Sequence, residues 1–456
     1  MLRIPSIAAA SILSVTLFAS PAAAASAWPA STTGTNLGGG LDSCPWLGGG
    51  TGTPPGFEPS GIVWDDFTGA LWIVGDEGQV ARMERDGTSP SCWTLPGNLD
   101  LESIAVTGTS EKIYLGVEYP PQIVEYNSSS TAAPSSTGHS WLLPFPANTV
   151  NSSNGMEGMT WVPNGAHPYP ASSSGGVFFA SSQKNGTIYV FDVDLSTNGS
   201  TPTLLGSFTP DPTQTDISDL YYSPSTRTLF VLYDTADVLR EIDTSTTQFP
   251  TINSYNLPSG TAEQEGVTLL PQCPRAATDI YLADDTSAHS VYSFTGFPQL
   301  CTTTLSPTAD ATTHQNSPTS NDGTATTLVT DSATSADRDF LIQFNLSSVT
   351  LSQISRADLL FYVTDGTNAS PQFCPTSASW TETGVNWSNQ PSCQQANRGG
   401  GATVPNGSWV SYDVASLLRN GTTSFRFSPL SSNDFVANSR QAGSNKPQLV
   451  LWLTGN

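Results

Sequence analysis

Five runs of one design recur along the first three hundred residues. Each opens on a serine or glutamate and continues as an apolar strand: SGIVW from Ser60, ESIAV from Glu102, EGMTW from Glu157, SDLYY from Ser218 and EGVTL from Glu265. The intervals between them are 42, 55, 61 and 47 residues. A second strand follows each run, in LWIVGDEG, KIYLGVEY, GVFFASSQKN, TLFVLYDT and DIYLADDT. A third follows that, in QVARME, QIVEYN, TIYVFDVD, VLREID and SVYSF.

A period of about 40–50 residues with several strands per unit fits the blades of a β-propeller. Five units are clear, and a sixth would have to come from the divergent ends or from the insertions around residues 130–150 and 200–215. A carboxylate is costly to bury without a partner, so a glutamate that repeatedly opens a buried strand points to a shared site. In a propeller the first strands line a central channel. Glu102, Glu157, Glu265 and Asp219 stand where first strands begin. Asp76, Glu77, Glu118, Asp234, Asp284 and Asp285 stand where second strands end. Both sets are expected around one channel mouth, with Lys184 interrupting the ring in the third unit. Like charges so close raise one another's pKa unless a cation neutralises them. Oxygen donors, in a chain with 4 histidines, favour calcium over zinc.

The rest of the composition fits an exported all-β protein. Gly, Pro, Ser and Thr punctuate short β-branched and aromatic runs. Arg3 precedes the apolar run IAAASILSVTLFA and the small residues AASA, which reads as a signal peptide over residues 1–27 with cleavage after Ala27. The apolar run is too short to span a bilayer. The expected protein is secreted, extracellular or cell-wall associated, and monomeric. Six cysteines suit three disulfides. Cys374 and Cys393 stand alone in the C-terminal part and are expected to pair. Cys44, Cys92, Cys273 and Cys301 allow three connectivities, of which we favour Cys44–Cys92 and Cys273–Cys301. Asn-x-Ser/Thr sequons, such as those at Asn127, Asn185 and Asn386, would make it a glycoprotein in a eukaryotic host.

The net charge of −23 comes from 15 basic and 38 acidic residues and argues against a nucleic-acid partner. From residue 303 onward there are seven basic and ten acidic residues, leaving eight and twenty-eight before it. The acidity therefore belongs to the first part, and the chain divides into a propeller over 28–302 and a second domain over 303–456. The Thr-rich stretch CTTTLSPTADATTH reads as the linker or domain start between them. We find no nucleophile elbow, no metalloprotease helix and no phosphate loop. His139, His167, His289 and His314 have no carboxylate or nucleophile at suggestive spacing, so a Ser-His-Asp hydrolase is disfavoured.

The Glu-Gly strand openings, with LDLESIAV and IYLGVEYPPQIVEY, resemble the SdiA-regulated propellers and the gluconolactonase/regucalcin-like group over residues 55–300. That resemblance implies a calcium ligand at Glu157 or Glu265. No equivalent of the lactonases' further Asn and Asp ligands is found. In the C-terminal part, DFLIQFNLSS, ADLLFYV, SWTETGVNWSNQP, GSWVSYDVASLL and SRQAGSNKPQLVL resemble the DNRLRE domain, also called carbohydrate-binding module family 96. Gln441 stands where family members usually carry an acid. The resemblance implies a jelly-roll β-sandwich that binds polysaccharide, acidic polymers such as alginate first. Arg338, Arg440 and Lys446 are the candidates to pair with uronates. Trp380, Trp387 and Trp409 are weighed as stacking platforms, with core packing the better reading. We favour a polysaccharide-binding protein with a calcium-loaded propeller. The alternative is a metal-dependent lactonase or esterase carried to polysaccharide by the module.

Overall fold

The computed structural model describes residues 25–38, 41, 44, 57–128, 132–258, 263–270, 273, 275, 277–285 and 290–454. It is all-β. Five antiparallel sheets of four strands each account for the repeats. Their first strands are Pro59–Asp65, Leu101–Val106, Met156–Pro163, Ile217–Ser223 and Gln264–Leu270. Second strands such as Ala70–Gly75, Gly176–Ser182 and Thr228–Tyr233 are buried at every residue. Both of their faces meet apolar neighbours, which is why they read as unbroken hydrophobic runs.

The stretches expected to yield a sixth unit are outer strands instead. Ser135–Leu142 is the fourth strand of the second sheet and Thr203–Phe208 that of the third. The fourth strand of the fifth sheet comes from the other end of the chain: Thr35–Asn36 pairs with Ser293 and Tyr292. The expected signal peptide lies outside the described residues up to position 24. Ser26 belongs to the fold, bridging to Tyr255 and donating its amide to the Ser254 carbonyl at 2.8 Å. Cleavage after Ala27 would remove that contact.

The repeated serine or glutamate has a backbone meaning. Every first strand carries a β-bulge against its second strand, between Pro59 and Gly61, Leu101 and Ser103, Met156 and Met159, Ile217 and Asp219, and Gln264 and Gly266. Ser60, Glu102, Ser218 and Glu265 are the residues the ladder leaves out, with both Glu157 and Gly158 left out in the third strand, and a bulge re-aims the serine and glutamate side chains.

First strands also touch their neighbours all the way round. The Trp64 amide donates to Thr268 Oγ1 at 2.9 Å, the Tyr222 amide to Thr160 Oγ1 at 2.9 Å and Ser218 Oγ to the Gln264 carbonyl at 2.7 Å. A Cβ on Gly61 would lie 2.8 Å from the Glu102 carbonyl. Glycine after the bulge is thus required by the approach of the next strand. At Gly158 a Cβ would sit 2.5 Å from the Leu220 nitrogen. Backbone cannot move aside as a side chain can, so Gly158→Ala should cost about 3 kcal/mol and roughly 5 °C in Tm. A variant melting within a degree of the parent would contradict this packing.

The C-terminal region is two facing antiparallel sheets. One contains Cys301–Leu305, Gln448–Leu453, Ile354–Asp365, Phe435–Asn438, Thr327–Thr330 and Ser408–Asp413. The other contains Ala309–His314, Arg338–Asn345, Thr422–Ser428 and Gln372–Pro375. Their shared core holds Phe340, Phe361, Phe373, Phe427 and Leu449. The Thr-rich stretch read as linker or domain start therefore holds two strands, and regular structure resumes at Cys301, two residues before the expected boundary. The disulfides are Cys44–Cys92, Cys273–Cys301 and Cys374–Cys393, with Cα separations of 5.6, 5.6 and 5.5 Å. These are the favoured pairings.

Candidate functional site

At one end of the circle of first strands, carboxylates meet in pairs. Each hairpin acid at the end of a second strand faces the residue two places before the bulge of its own sheet. Asp76 lies against Glu58, Glu118 against Asp100 and Asp285 against Glu263. In the fourth sheet Asp216 takes the Thr235 hydroxyl, beside Asp234. The third sheet has amides instead, Asn154 Nδ2 donating to Gln183 Oε1 at 2.9 Å, and Lys184 beside them is exposed. Burial and the facing carboxylate push Asp76 and Asp285 up to about 7.

The hairpin acids also join sheets. Glu118 Oε1 accepts the Gly155 amide at 2.9 Å and Asp234 Oδ1 the Gln264 amide at 2.9 Å, each at the start of the next first strand. Asp284 is buried at the end of its strand, so Asp285 is the acid that corresponds to Asp76. Sequence reasoning missed Glu58, Asp100, Asp216 and Glu263. Their signal was present, since all lie two residues before a bulge position.

Deeper in, the bulged glutamates face one another. Glu157, 6% exposed, lies against Glu102, and its carboxyl is raised to about 8, mainly by burial and then by Glu118. Burial followed by Asp234 and Glu157 lifts Glu265 to about 9. Glu102 is raised well above the carboxylate range by burial and then by Glu157. The charges that shift these groups most are all carboxylates.

Asp219 is different. Its Oδ1 accepts the Leu220 amide at 2.7 Å and its Oδ2 the Val267 amide at 2.8 Å, tying the fourth first strand to the fifth. It acts as a backbone strap rather than facing the glutamates. Among the described residues no three Asp, Glu, His or Cys side chains are arranged as ligands of one metal ion. Asp219 is thus set apart from the three glutamates expected to share a cation with it, while the all-oxygen donor set of those glutamates suits a hard ion.

In the C-terminal region the candidate cations have separate fates. Arg440 Nη1 donates to Glu382 Oε1 and Oε2 at 2.9 and 2.7 Å, and Gln441 Nε2 donates to Glu382 Oε1 at 2.9 Å. An acid at position 441 would repel Glu382, which accounts for the amide. Arg440 is therefore engaged inside the module rather than free for a uronate. Arg338 is half-buried beside Asp331, and Lys446 is exposed. Trp380 is buried with Nε1 on Ser424 Oγ at 2.9 Å, and Trp409 is buried against Tyr362. Trp387 stays half-exposed. Among the histidines, His314 Nε2 meets Asp322 Oδ2 at 2.6 Å, and His289 lies outside the described residues.

No curated protein matches the chain. Among solved structures, that of Myxococcus xanthus glutaminyl cyclase is 13% identical and covers 53% of this chain and 92% of that one, with a TM-score of 0.36. A nidogen/laminin complex is 10% identical and covers 53% of this chain and 81% of that one, with a TM-score of 0.33. Residues 56–235 match the family described as esterase-like activity of phytase. Residues 301–452 match carbohydrate-binding module family 96, in agreement with the resemblance in their sequence.

Proposed function

We propose that this is an extracellular polysaccharide-binding protein. Its five four-stranded sheets are the blades of one propeller with a calcium-dependent acidic mouth, and its C-terminal region is a jelly-roll sandwich that holds the glycan. The observation that carries the reading is the match of residues 301–452, the whole C-terminal region, to a carbohydrate-binding family. Export is supported by the leader pattern and three disulfides. The circle of first-strand contacts and the ladder joining Thr35–Asn36 to the fifth sheet support the propeller. Calcium is supported by facing carboxylates with oxygen-only chemistry. Glu102, Glu157 and Glu265, with the pairs at Glu58–Asp76, Asp100–Glu118 and Glu263–Asp285, would hold it.

A second reading, ester hydrolysis at the mouth, is favoured by the match of residues 56–235. Glu157 and Glu265 would remain protonated near neutral pH and so be able to donate a proton to a leaving group. A screen of aryl esters, lactones and phosphoesters, with calcium and with chelator, separates the two. The binding reading expects no turnover. Turnover abolished by Glu157→Gln in folded protein would replace it with the hydrolase.

A further inference from the structure

On the outer face of the C-terminal four-stranded sheet lies a cleft of about 430 Å³. Strand alternation creates it. Phe340, Phe425, Phe427 and Phe373 point into the core, so Asp339, Arg426, Ser428 and Gln372 point outward. The loop after Cys374 returns over this face and is fastened by Cys374–Cys393. Its Trp380 and Val385 cover Ala309, Ala311 and Leu341, leaving the other half of the face open. Trp387 and Gln390 stand at the edge of that opening.

We infer that this cleft is the glycan site and that it takes a neutral pyranose chain rather than a polyuronate. The inference rests on the carbohydrate-binding reading of this region. Trp387 offers an aromatic face that remains half-exposed. Gln390 is held in place by Thr313 Oγ1 at 2.7 Å, and Gln372 and Ser428 add groups that both donate and accept. This pairing of a flat apolar platform with a few fixed polar groups suits a sugar, whose ring faces are apolar and whose rim is hydroxylated.

The charge of the cleft selects against acidic sugars. Asp339 and Asp337 line it together with Arg426. Arg426 Nε lies 3.5 Å from Asp339 Oδ2, and Gln390 Nε2 lies 3.4 Å from the same oxygen. The one guanidinium is thus neutralised from within, and a carboxylate is left over to repel a uronate. The cations expected to bind uronates do not line the cleft, and Arg440 is bound to Glu382.

The test is affinity electrophoresis of the full chain in gels containing β-glucan, mannan, alginate or pectate, at low and high salt. The expected result is retardation by a neutral polymer, little changed by salt because no charge pair is screened. Trp387→Ala should weaken it by about tenfold or more. Trp387→Phe should keep most of the affinity, and the exposed Asn397→Ala, which leaves the fold untouched, should reduce it. Retardation by alginate or pectate that falls with salt and survives Trp387→Ala would overturn the cleft while leaving glycan binding in place. Failure to bind any of the four would remove both.

Discussion

In chelator the protein should lose stability steadily as the pH rises from about 5 to about 9, and calcium should restore it. Glu157 titrates near 8 and Glu265 near 9 in the fold, while Asp76 and Asp285 titrate near 7. Unfolded, such groups ionise near 4. Between those limits the folded state holds more protons than the unfolded one. The stability they contribute is therefore complete below about pH 4 and is lost as the pH climbs through 7 to 9. Each proton so retained makes the slope about 1.4 kcal/mol per pH unit. Calcium would replace the protons and flatten the profile, adding about 2.7 kcal/mol at a hundredfold excess over its Kd. Glu157→Gln should flatten the chelator profile as well. Glu84→Gln should not, because Glu84 is exposed beside Arg82. Thermal melts at intervals across this range decide it, and a flat or rising profile in metal-free protein would refute the account of the mouth.

Arg356→Ala should have the other large effect, uncoupling the two halves of the molecule. Arg356 belongs to the C-terminal region and reaches the third strand of the fourth sheet. Its Nη1 bonds Asp243 Oδ2 at 2.5 Å, and Nη2 bonds Ser245 Oγ at 2.8 Å and Asp358 Oδ2 at 2.5 Å. The guanidinium lies 4.5 Å from the centre of the Trp452 ring. The Asp358 and Asp243 side chains are 3% and 10% exposed. Removing the arginine leaves two buried carboxylates facing each other, a situation that costs about 3–5 kcal/mol. Arg356 is itself partly solvated, which places the expectation near the lower end. Calorimetry should show one transition in the parent and two in Arg356→Ala, the lower one several degrees below the parent. Arg356→Lys, which keeps the charge and loses the fork, should fall between. An unchanged single transition would contradict a structural seam.

Much of this was legible before any coordinates, and the reasons are local. The five first strands announced themselves because each ladder is interrupted at its bulge, and Ser60, Glu102, Glu157, Ser218 and Glu265 break the apolar pattern at that point. The second strands were legible because they are buried on both faces. The fourth strands were not: Ser135–Leu142 is mostly polar and Thr203–Phe208 mixes Leu204, Leu205 and Phe208 with Thr, Gly and Ser, and both are only partly covered, so no regular apolar alternation marks them. The site was half legible. Glu157 and Glu265 could be placed at the mouth from the repeat. Sequence could not show that Asp219, equally acidic and one residue past its bulge, turns both oxygens onto backbone amides. Nor could it show that Arg440 is held by Glu382, because that pair joins residues 58 apart in the chain. The half-exposed face of Trp387 likewise depends on how a disulfide-bound loop folds back over a sheet.

The reading as a whole depends on where glycan affinity resides. Affinity electrophoresis of the full chain, parent and Glu157→Gln, in polysaccharide gels with calcium and with chelator tests this directly. The account predicts retardation that neither chelator nor Glu157→Gln diminishes, because the glycan is held by residues 301–452 and the mouth is a separate cation site. Retardation that disappears with chelator or with Glu157→Gln would place binding at the acidic mouth and contradict it, as would the absence of retardation in every gel.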